Sequence, residues 1–174
     1  KVVDIPDNKT DHFGKKLAIT LGIKAAKNNY LLFTDADCFP YTNSWISLMS
    51  SGFHNKKEIV IGAGIYAKER GFLNKIIRYD TAQIATNYLS FAKAKITYMG
   101  VGRNLGYTQD LYYLNEGFKS HYHIASGDDD LFVNQASKND NSEIVFSKES
   151  VTISLPKKKV EGLGYSKEKT SYHQ

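Results

Sequence analysis

The stretch "LLFTDADCF", residues Leu31–Phe39, joins an apolar run to two aspartates that stand one residue apart. The preceding segment "KKLAITLGIKAAKNN" has apolar residues at helical spacing. These residues are Leu17, Ala18, Leu21 and Ala25. Val2–Ile5 has the composition of a short strand, and Tyr30–Thr34 that of a short buried strand. This order of strand, helix and strand predicts an α/β fold with parallel strands.

Asp35 and Asp37 follow the second strand at its carboxyl end, where open α/β sheets bind their ligands. Alternate residues of an extended backbone point to the same side, and in a turn two such carboxylates can still converge on one cation. Carboxylate oxygens suit Mg²⁺ or Mn²⁺, which keep positions for water and substrate phosphate. We therefore predict a metal site that neutralises a diphosphate, with Cys38 beside it as a packing residue. The alternative is turn chemistry, with Asp35 capping the turn and Asp37 in solvent.

The rest of the chain continues the α/β pattern. After Pro40, which we expect to break the strand, Asn43 or Ser44 can cap a short helix that reaches Phe53. The pattern then predicts a strand at "EIVIGAGIY", a long helix at Phe72–Ala92, a glycine-bearing loop at "VGRNLGYT", and strands at "SEIVFS" and "SVTISLP". Because no repeat or linker interrupts this order, we predict one domain over residues 1–174.

Composition narrows the class of protein. A chain of 174 residues with 41% hydrophobic content can bury a core of its own. The formal net charge of +5 favours an anionic partner, such as a nucleotide or a membrane surface. Nucleic acid is disfavoured, because the sequence has no basic helix and no aromatic–basic RNA-binding motif. No apolar stretch approaches the roughly 18 residues of a membrane span. Residue 1 is Lys, so we expect the chain to be a fragment.

A second acidic group lies in "SGDDDLF", where Asp128, Asp129 and Asp130 begin a predicted helix. Helix capping and the helix dipole would explain one or two carboxylates at such a position. Three adjacent carboxylates repel one another, which is unfavourable without a nearby cation. If Asp35 and Asp37 hold a cation, a carboxylate of this second group is a candidate general base.

Three stretches together resemble family 2 glycosyltransferase domains, which have the GT-A fold. They are "GKKLAITLGIKAAKNNYLLFTDADCFPYTNSW", "GVGRNLGYTQDLY" and "SGDDDLFVN", and they lie between Gly14 and Asn134. The first has the helix, strand and D-x-D layout of the family, and the second resembles its G-x-x-N-L-x-Y acceptor-side loop. The third resembles the Glu-Asp motif of the family, with Asp128 in place of Glu and Asp129 at the base position. The resemblance implies a GT-A-like, Rossmann-related mixed sheet flanked by helices and incomplete at both ends.

The resemblance also implies an activity and its residues. A sugar would pass with inversion from a nucleoside-diphosphate sugar, with a UDP-sugar the expected donor, to a hydroxyl of a glycan or lipid-linked acceptor. Asp35 and Asp37 would hold Mg²⁺ or Mn²⁺, and Asp129 would act as the base. The other implied contacts to the nucleotide sugar are Lys15, Arg103, Asn104, Tyr107 and Asp128. The implied setting is cell-envelope polysaccharide synthesis in the cytoplasm, at the inner face of the membrane.

Several features leave other interpretations open. Little sequence precedes the first helix, and the later Q-x-x-R-W-type motif of the family is missing, so we expect this chain to bind nucleotide sugar weakly. For Arg103, Asn104 and Tyr107, plain loop chemistry is the alternative. One competing class is a haloacid-dehalogenase-like phosphatase, in which the first Asp of D-x-D is the nucleophile. Another is a non-catalytic scaffold that binds carbohydrate or a membrane surface.

Overall fold

The computed structural model describes residues 14–124, 126–138 and 140–155. The helices of these ranges are α1 (Gly14–Ala25), α2 (Trp45–Ser50), α3 (Phe72–Lys93), α4 (Gln109–Leu114) and α5 (Asp130–Ala136). The strands are β1 (Tyr30–Phe33), β2 (Cys38–Pro40), β3 (Ile59–Ile61), β4 (Gly64–Tyr66), β5 (Leu105–Thr108), β6 (Ser142–Ile144) and β7 (Thr152–Ser154). The strand expected at Val2–Ile5 lies outside the described residues. No helix within the described ranges is both long and apolar enough to cross a bilayer.

Two sheets carry these strands. The larger has the order β1-β5-β3-β6, and the smaller has the order β2-β7-β4. In the larger sheet β5 runs antiparallel to β1 and β3, whereas β3 and β6 are parallel. In the smaller sheet β7 is antiparallel to β2 and parallel to β4. The α/β fold with mixed sheets is therefore confirmed. The described partner of β1 is antiparallel, and the parallel relation of β1 to the strand expected at Val2–Ile5 lies outside the described residues.

Strand β5 replaces the loop that glycine content suggested at "VGRNLGYT". All four of its residues are buried, and Phe33 of β1 pairs with Leu105 while Leu31 pairs with Tyr107. A Cβ on Gly106 would lie 2.7 Å from a side-chain carbon of Leu32 and 3.0 Å from the Leu31 carbonyl oxygen. The glycine therefore serves the close approach of two strands rather than a loop.

Three other boundaries also differ from the sequence prediction. Strand β1 ends at Phe33 and is only partly buried, because β5 is its one partner among the described strands. Pro40 does not break this strand; it ends β2, which lies at an edge of the smaller sheet where a missing N–H is tolerated. The segment "EIVIGAGIY" forms two strands in different sheets, because the chain leaves the larger sheet after Ile61.

The core lies between the larger sheet and the helices. Helix α3 packs its C-terminal half there through Ala85, Tyr88, Leu89 and Ala92. The predicted short helix is present as α2, which covers the other side with Trp45 and Met49 and ends at Ser50 rather than Phe53. Helix α1 is also confirmed, but its most buried residues are Lys16 and Ile23, not the four apolar residues that indicated it. This packing leaves the end of β1 facing the start of α1.

Candidate functional site

The turn after β1 brings two carboxylates and a thiol together. The backbone N–H of Cys38 donates to the carbonyl oxygen of Asp35 over 3.0 Å, which closes the turn. One carboxylate oxygen each from Asp35 and Asp37 and the sulfur of Cys38 all lie within 4.8 Å of one another. Partial burial raises the pKa of the Cys38 thiol, which also donates a long hydrogen bond of 3.5 Å to Asp37 Oδ1. The two carboxylates are therefore the better ligands for a hard cation, with Cys38 as a neutral neighbour.

Lys15 links this turn to the second acidic group. Its Nζ lies 3.0 Å from Asp35 Oδ1 and 3.0 Å from Asp128 Oδ2. Partial burial acts to lower the pKa of Lys15, but the hydrogen bonds to Asp35 and Asp128 outweigh it and raise this pKa above its ordinary value. The side chain of Asp35 thus pairs with a cation across the site instead of capping its own turn. Lys15 remains charged and offsets part of the negative charge there.

The second acidic group begins helix α5, and its members have different partners. Asp129 is the N-cap of α5; its Oδ1 accepts from the N–H of Asp130 over 2.9 Å. Its Oδ2 accepts from the N–H of Gly102 over 2.6 Å, so both oxygens are held by backbone donors. Helix capping therefore explains why an aspartate occupies position 129, whereas Asp128 forms an ion pair with Lys15. Oriented in this way, the Asp129 carboxylate lies against the short 3₁₀ segment Gly102–Asn104.

Members of both acidic groups, Asp35 from the first and Asp128 and Asp129 from the second, line the same small cavity. Its volume is about 50 Å³. Its polar walls are Lys15, Thr34, Asp35, Tyr107, Asp128 and Asp129, and its apolar walls include Ile19, Phe33 and Leu105. Placement of the two groups on opposite faces would have excluded a joint role. The structure instead brings the end of β1 and the start of α5 to one site.

Lys16 is a residue of this region that the sequence analysis did not identify. It is buried, and its Nζ donates to the carbonyl oxygens of His121 at 2.7 Å, Ile124 at 2.7 Å and Ser126 at 2.9 Å. These acceptors belong to the segment that leads into Asp128. A signal was present, because Lys16 lies on the same helical stripe as Ile19 and Ile23. Successive lysines of α1 thus fix the second acidic group, Lys15 by charge and Lys16 by hydrogen bonds.

Arg103 reaches the other side of the Asp35–Cys38 turn. Its guanidinium carbon lies 5.2 Å from the centre of the Tyr66 ring, and Nη1 donates to Ser154 Oγ over 3.2 Å. The same hydroxyl is 3.0 Å from the sulfur of Cys38. Arg103 is therefore connected to Asp37 through Ser154 and Cys38, and from this position its positive charge could face an anionic ligand.

Asn104 and Tyr107, which the resemblance placed at the cleft, lie in the interior. Asn104 has no exposed surface; its Oδ1 accepts from Trp45 Nε1 over 2.9 Å, and its Nδ2 donates to the carbonyls of Ala63 and Ser150. Tyr107 is buried and stacks on Phe33 with 4.4 Å between ring centres. Burial raises its pKa well above the ordinary value, so its hydroxyl stays protonated. Asn104 therefore holds buried parts of the fold together and does not line the cavity beside Asp35, whereas Tyr107 forms part of the wall of that cavity.

One family profile matches the part of the chain that contains Asp35 and Asp37, whereas Asp128 and Asp129 lie beyond the matched residues. The sequence profile of the family described as "Glycosyl transferase family 2" matches residues 7–114. This match spans more than half of the chain and includes α1, the Asp35–Cys38 turn, α3 and β5. It is consistent with the GT-A-like mixed sheets and favours a transferase over a phosphatase. A search among curated proteins returned no match.

Proposed function

The chain belongs to glycosyl transferase family 2, and on this premise we propose an inverting transfer of a sugar from a nucleoside-diphosphate sugar to an acceptor hydroxyl. One observation carries the proposal: Asp35, at the end of β1, and Asp128 and Asp129, at the start of α5, line one cavity, and Lys15 links Asp35 to Asp128. Such a site offers oxygen ligands for a cation and, a few ångströms away, carboxylates that can take a proton. A UDP-sugar is the expected donor.

Asp35 and Asp37 are the residues that would hold a divalent cation. Their carboxylate oxygens converge in the turn, and hard oxygen donors of this kind fit Mg²⁺ or Mn²⁺. When bound, such an ion supplies positive charge that stabilises a departing diphosphate. Lys15 and Arg103 add cationic charge on either side of the two aspartates. The chain thereby offers an anionic donor both a chelating pair and two flanking cations.

Asp129 is the proposed general base. Its carboxylate removes the proton from the acceptor hydroxyl while the oxygen of that hydroxyl attacks the anomeric carbon of the donor. As the new carbon–oxygen bond forms, the bond between the anomeric carbon and the diphosphate oxygen breaks, and the nucleoside diphosphate leaves with the electron pair. Attack from the face opposite to the leaving group inverts the configuration. The N–H groups of Gly102 and Asp130 keep the carboxylate fixed during this step.

The first experiment tests donor binding. We expect nucleoside diphosphates to raise the melting temperature of the chain only when Mn²⁺ is present, and one base to do so most strongly. Asp37→Asn should remove this dependence on Mn²⁺, whereas Asp80→Asn, on the exposed side of α3, should retain it. A shift of equal size with and without Mn²⁺ would exclude the proposed role of Asp35 and Asp37.

The second experiment separates the base from its neighbour. Asp129→Asn should lower sugar transfer by about 10²–10⁴-fold while leaving the nucleotide-induced shift in melting temperature intact. Asp128→Asn should act differently, because its loss frees Lys15 and weakens the link between α1 and α5. If Asp129→Asn retained full transfer while Asp128→Asn abolished it, Asp128 would be the base and our assignment would be wrong.

We also propose the setting in which the reaction takes place. The expected acceptor is a glycan or lipid-linked molecule, and the expected place is the cytoplasm at the inner face of the membrane, in synthesis of the cell envelope. Separation of lysate into membrane and cytosolic fractions tests this placement. Recovery of the native protein from the extracellular medium would contradict it.

A further inference from the structure

The N-terminal half of α3 presents large apolar side chains to solvent. Phe72 is 78% exposed, Tyr79 72%, Ile76 47% and Leu73 46%. Isolated exposed apolar residues are common on proteins, but four within eight residues of one helix form a continuous patch. We call these four residues the α3 patch.

The α3 patch lies opposite to the side by which the helix is packed. Phe72, Ile76 and Tyr79 recur at intervals of four and three residues, so they form one stripe along two turns. The buried residues Asn74, Ala85 and Ala92 lie roughly half a turn away around the helix axis, on the side that faces the rest of the chain. The stripe is therefore not a poorly packed part of the core.

Basic residues accompany the α3 patch. Lys68 and Arg70 precede the helix, and Lys75 and Arg78 lie within its first two turns, against the acids Glu69 and Asp80. At 100° per residue, Lys75 and Arg78 fall on one flank of the stripe. Long basic side chains in that position can extend their charges past an apolar layer towards anionic groups. A second copy of this surface would instead bring like charges together.

We propose that the α3 patch docks on the surface of an anionic lipid bilayer, with Phe72, Ile76 and Tyr79 inserted at the level of the headgroups. Aromatic and aliphatic side chains beside lysine and arginine are the composition of helices that lie in this interface. Each basic residue near an anionic bilayer adds further attraction, which salt screens.

Helix α3 connects the docking surface to Arg103. Arg103 shares a small pocket with Thr81, Ile84 and Tyr88 of α3, directly after the α3 patch in sequence. A bilayer held against the α3 patch would lie across α3 from Arg103, which is connected to Asp37 through Ser154 and Cys38. Resting on the proposed function, docking through the α3 patch would bring the chain to an acceptor whose lipid portion stays in the membrane.

Vesicle flotation tests the surface directly. The whole chain should float with vesicles of phosphatidylcholine and phosphatidylglycerol at low salt, and much less with phosphatidylcholine alone or at high salt. Phe72→Ser combined with Tyr79→Ser should weaken the partition by roughly tenfold or more, because two large side chains no longer insert. Leu114→Ser is the matched control, since Leu114 is 79% exposed but lies on α4. Lys75→Glu with Arg78→Glu should abolish the preference for anionic vesicles.

Three results would overturn the proposal. They are failure of the chain to float with anionic vesicles, equal loss in the Leu114→Ser control, and unchanged flotation of the Phe72→Ser, Tyr79→Ser variant. Sedimentation adds a fourth: a dimer that this variant converts to monomers would show that a second copy covers the α3 patch. Because the readout is lipid binding, a failed transferase assay leaves this result standing. Unchanged circular dichroism and melting temperature in the variants would confirm that they fold.

Discussion

Lys16→Met tests whether one buried lysine holds the segment that leads into the second acidic group. The substitution keeps most of the length of the side chain and its apolar stem, and removes the ammonium that donates to the carbonyls of His121, Ile124 and Ser126. We expect a large loss of stability, together with a loosening of residues 121–124 and 126–130.

The size of the loss follows from the three hydrogen bonds. A bond from a charged donor contributes about 1.5–3 kcal/mol, so three of them have a gross value of roughly 4.5–9 kcal/mol. Burying the lysine cation costs several kcal/mol, and methionine avoids that cost. Two of the three bonds are only partly buried, so water can reach those carbonyls in the variant. The expected net loss in the free energy of unfolding is therefore about 2–4 kcal/mol.

Urea titration and thermal melting measure this loss. At 2–4 °C per kcal/mol for a chain of this length, the melting temperature should fall by roughly 4–16 °C. Lys27→Met is the matched control, because Lys27 is exposed just beyond α1, and it should change stability by less than about 0.5 kcal/mol. Hydrogen exchange should also show faster exchange at Asp130 and Leu131. A loss below about 1 kcal/mol, or one equal to that of the control, would refute the reasoning.

The remaining predictions concern pH, an internal hydrogen bond and metal affinity. Burial lowers the pKa of His121 below its ordinary 6.5, so the unfolded chain binds a proton that the folded ring does not. Urea titrations should show stability falling as the pH drops below about 6.5, and His121→Phe should flatten that part of the profile. Trp45→Phe leaves Asn104 Oδ1 without its buried donor and should cost about 1–3 kcal/mol of unfolding free energy; a neutral result would contradict this. Lys15→Met removes the cation beside Asp35, so calorimetry should show Mn²⁺ alone binding roughly 1.5- to 5-fold tighter, and weaker binding would count against our site.

The sequence was most informative where one pattern had one physical cause. Helical spacing predicted α1 and α3, and an apolar run before Asp35 predicted β1, because periodicity reports directly on local backbone geometry. The motifs also led us to expect Asp35 near Asp128 and Asp129, and the three residues do share a cavity. That proximity depends on the order of the strands, which spacing alone does not contain.

Other features required the packed structure. Gly106 indicated a loop, yet its lack of a side chain allows β5 to approach β1 closely. Lys16 has the chemistry of a surface residue, and only its three carbonyl partners explain why it is buried. In α3 the apolar pattern correctly predicted a helix but not which residues are buried, because the N-terminal half extends beyond the core. The residues that explain Gly106 and Lys16 are distant from them in sequence, so a local pattern could not predict these contacts.

Asn104 changes how loss of activity should be interpreted in this protein. Its side-chain amide bonds to Trp45 of α2, to the backbone carbonyl of Ala63 after β3 and to that of Ser150 before β7. Its backbone carbonyl accepts a hydrogen bond from the N–H of Gly62. A mutational screen scored only by sugar transfer would class it with the ligand-binding residues, since any replacement should abolish function. An abundance measurement alongside activity would distinguish the two, because variants of Asn104 should disappear from the soluble fraction. Asp129→Asn, which keeps an oxygen that can cap α5, should accumulate normally.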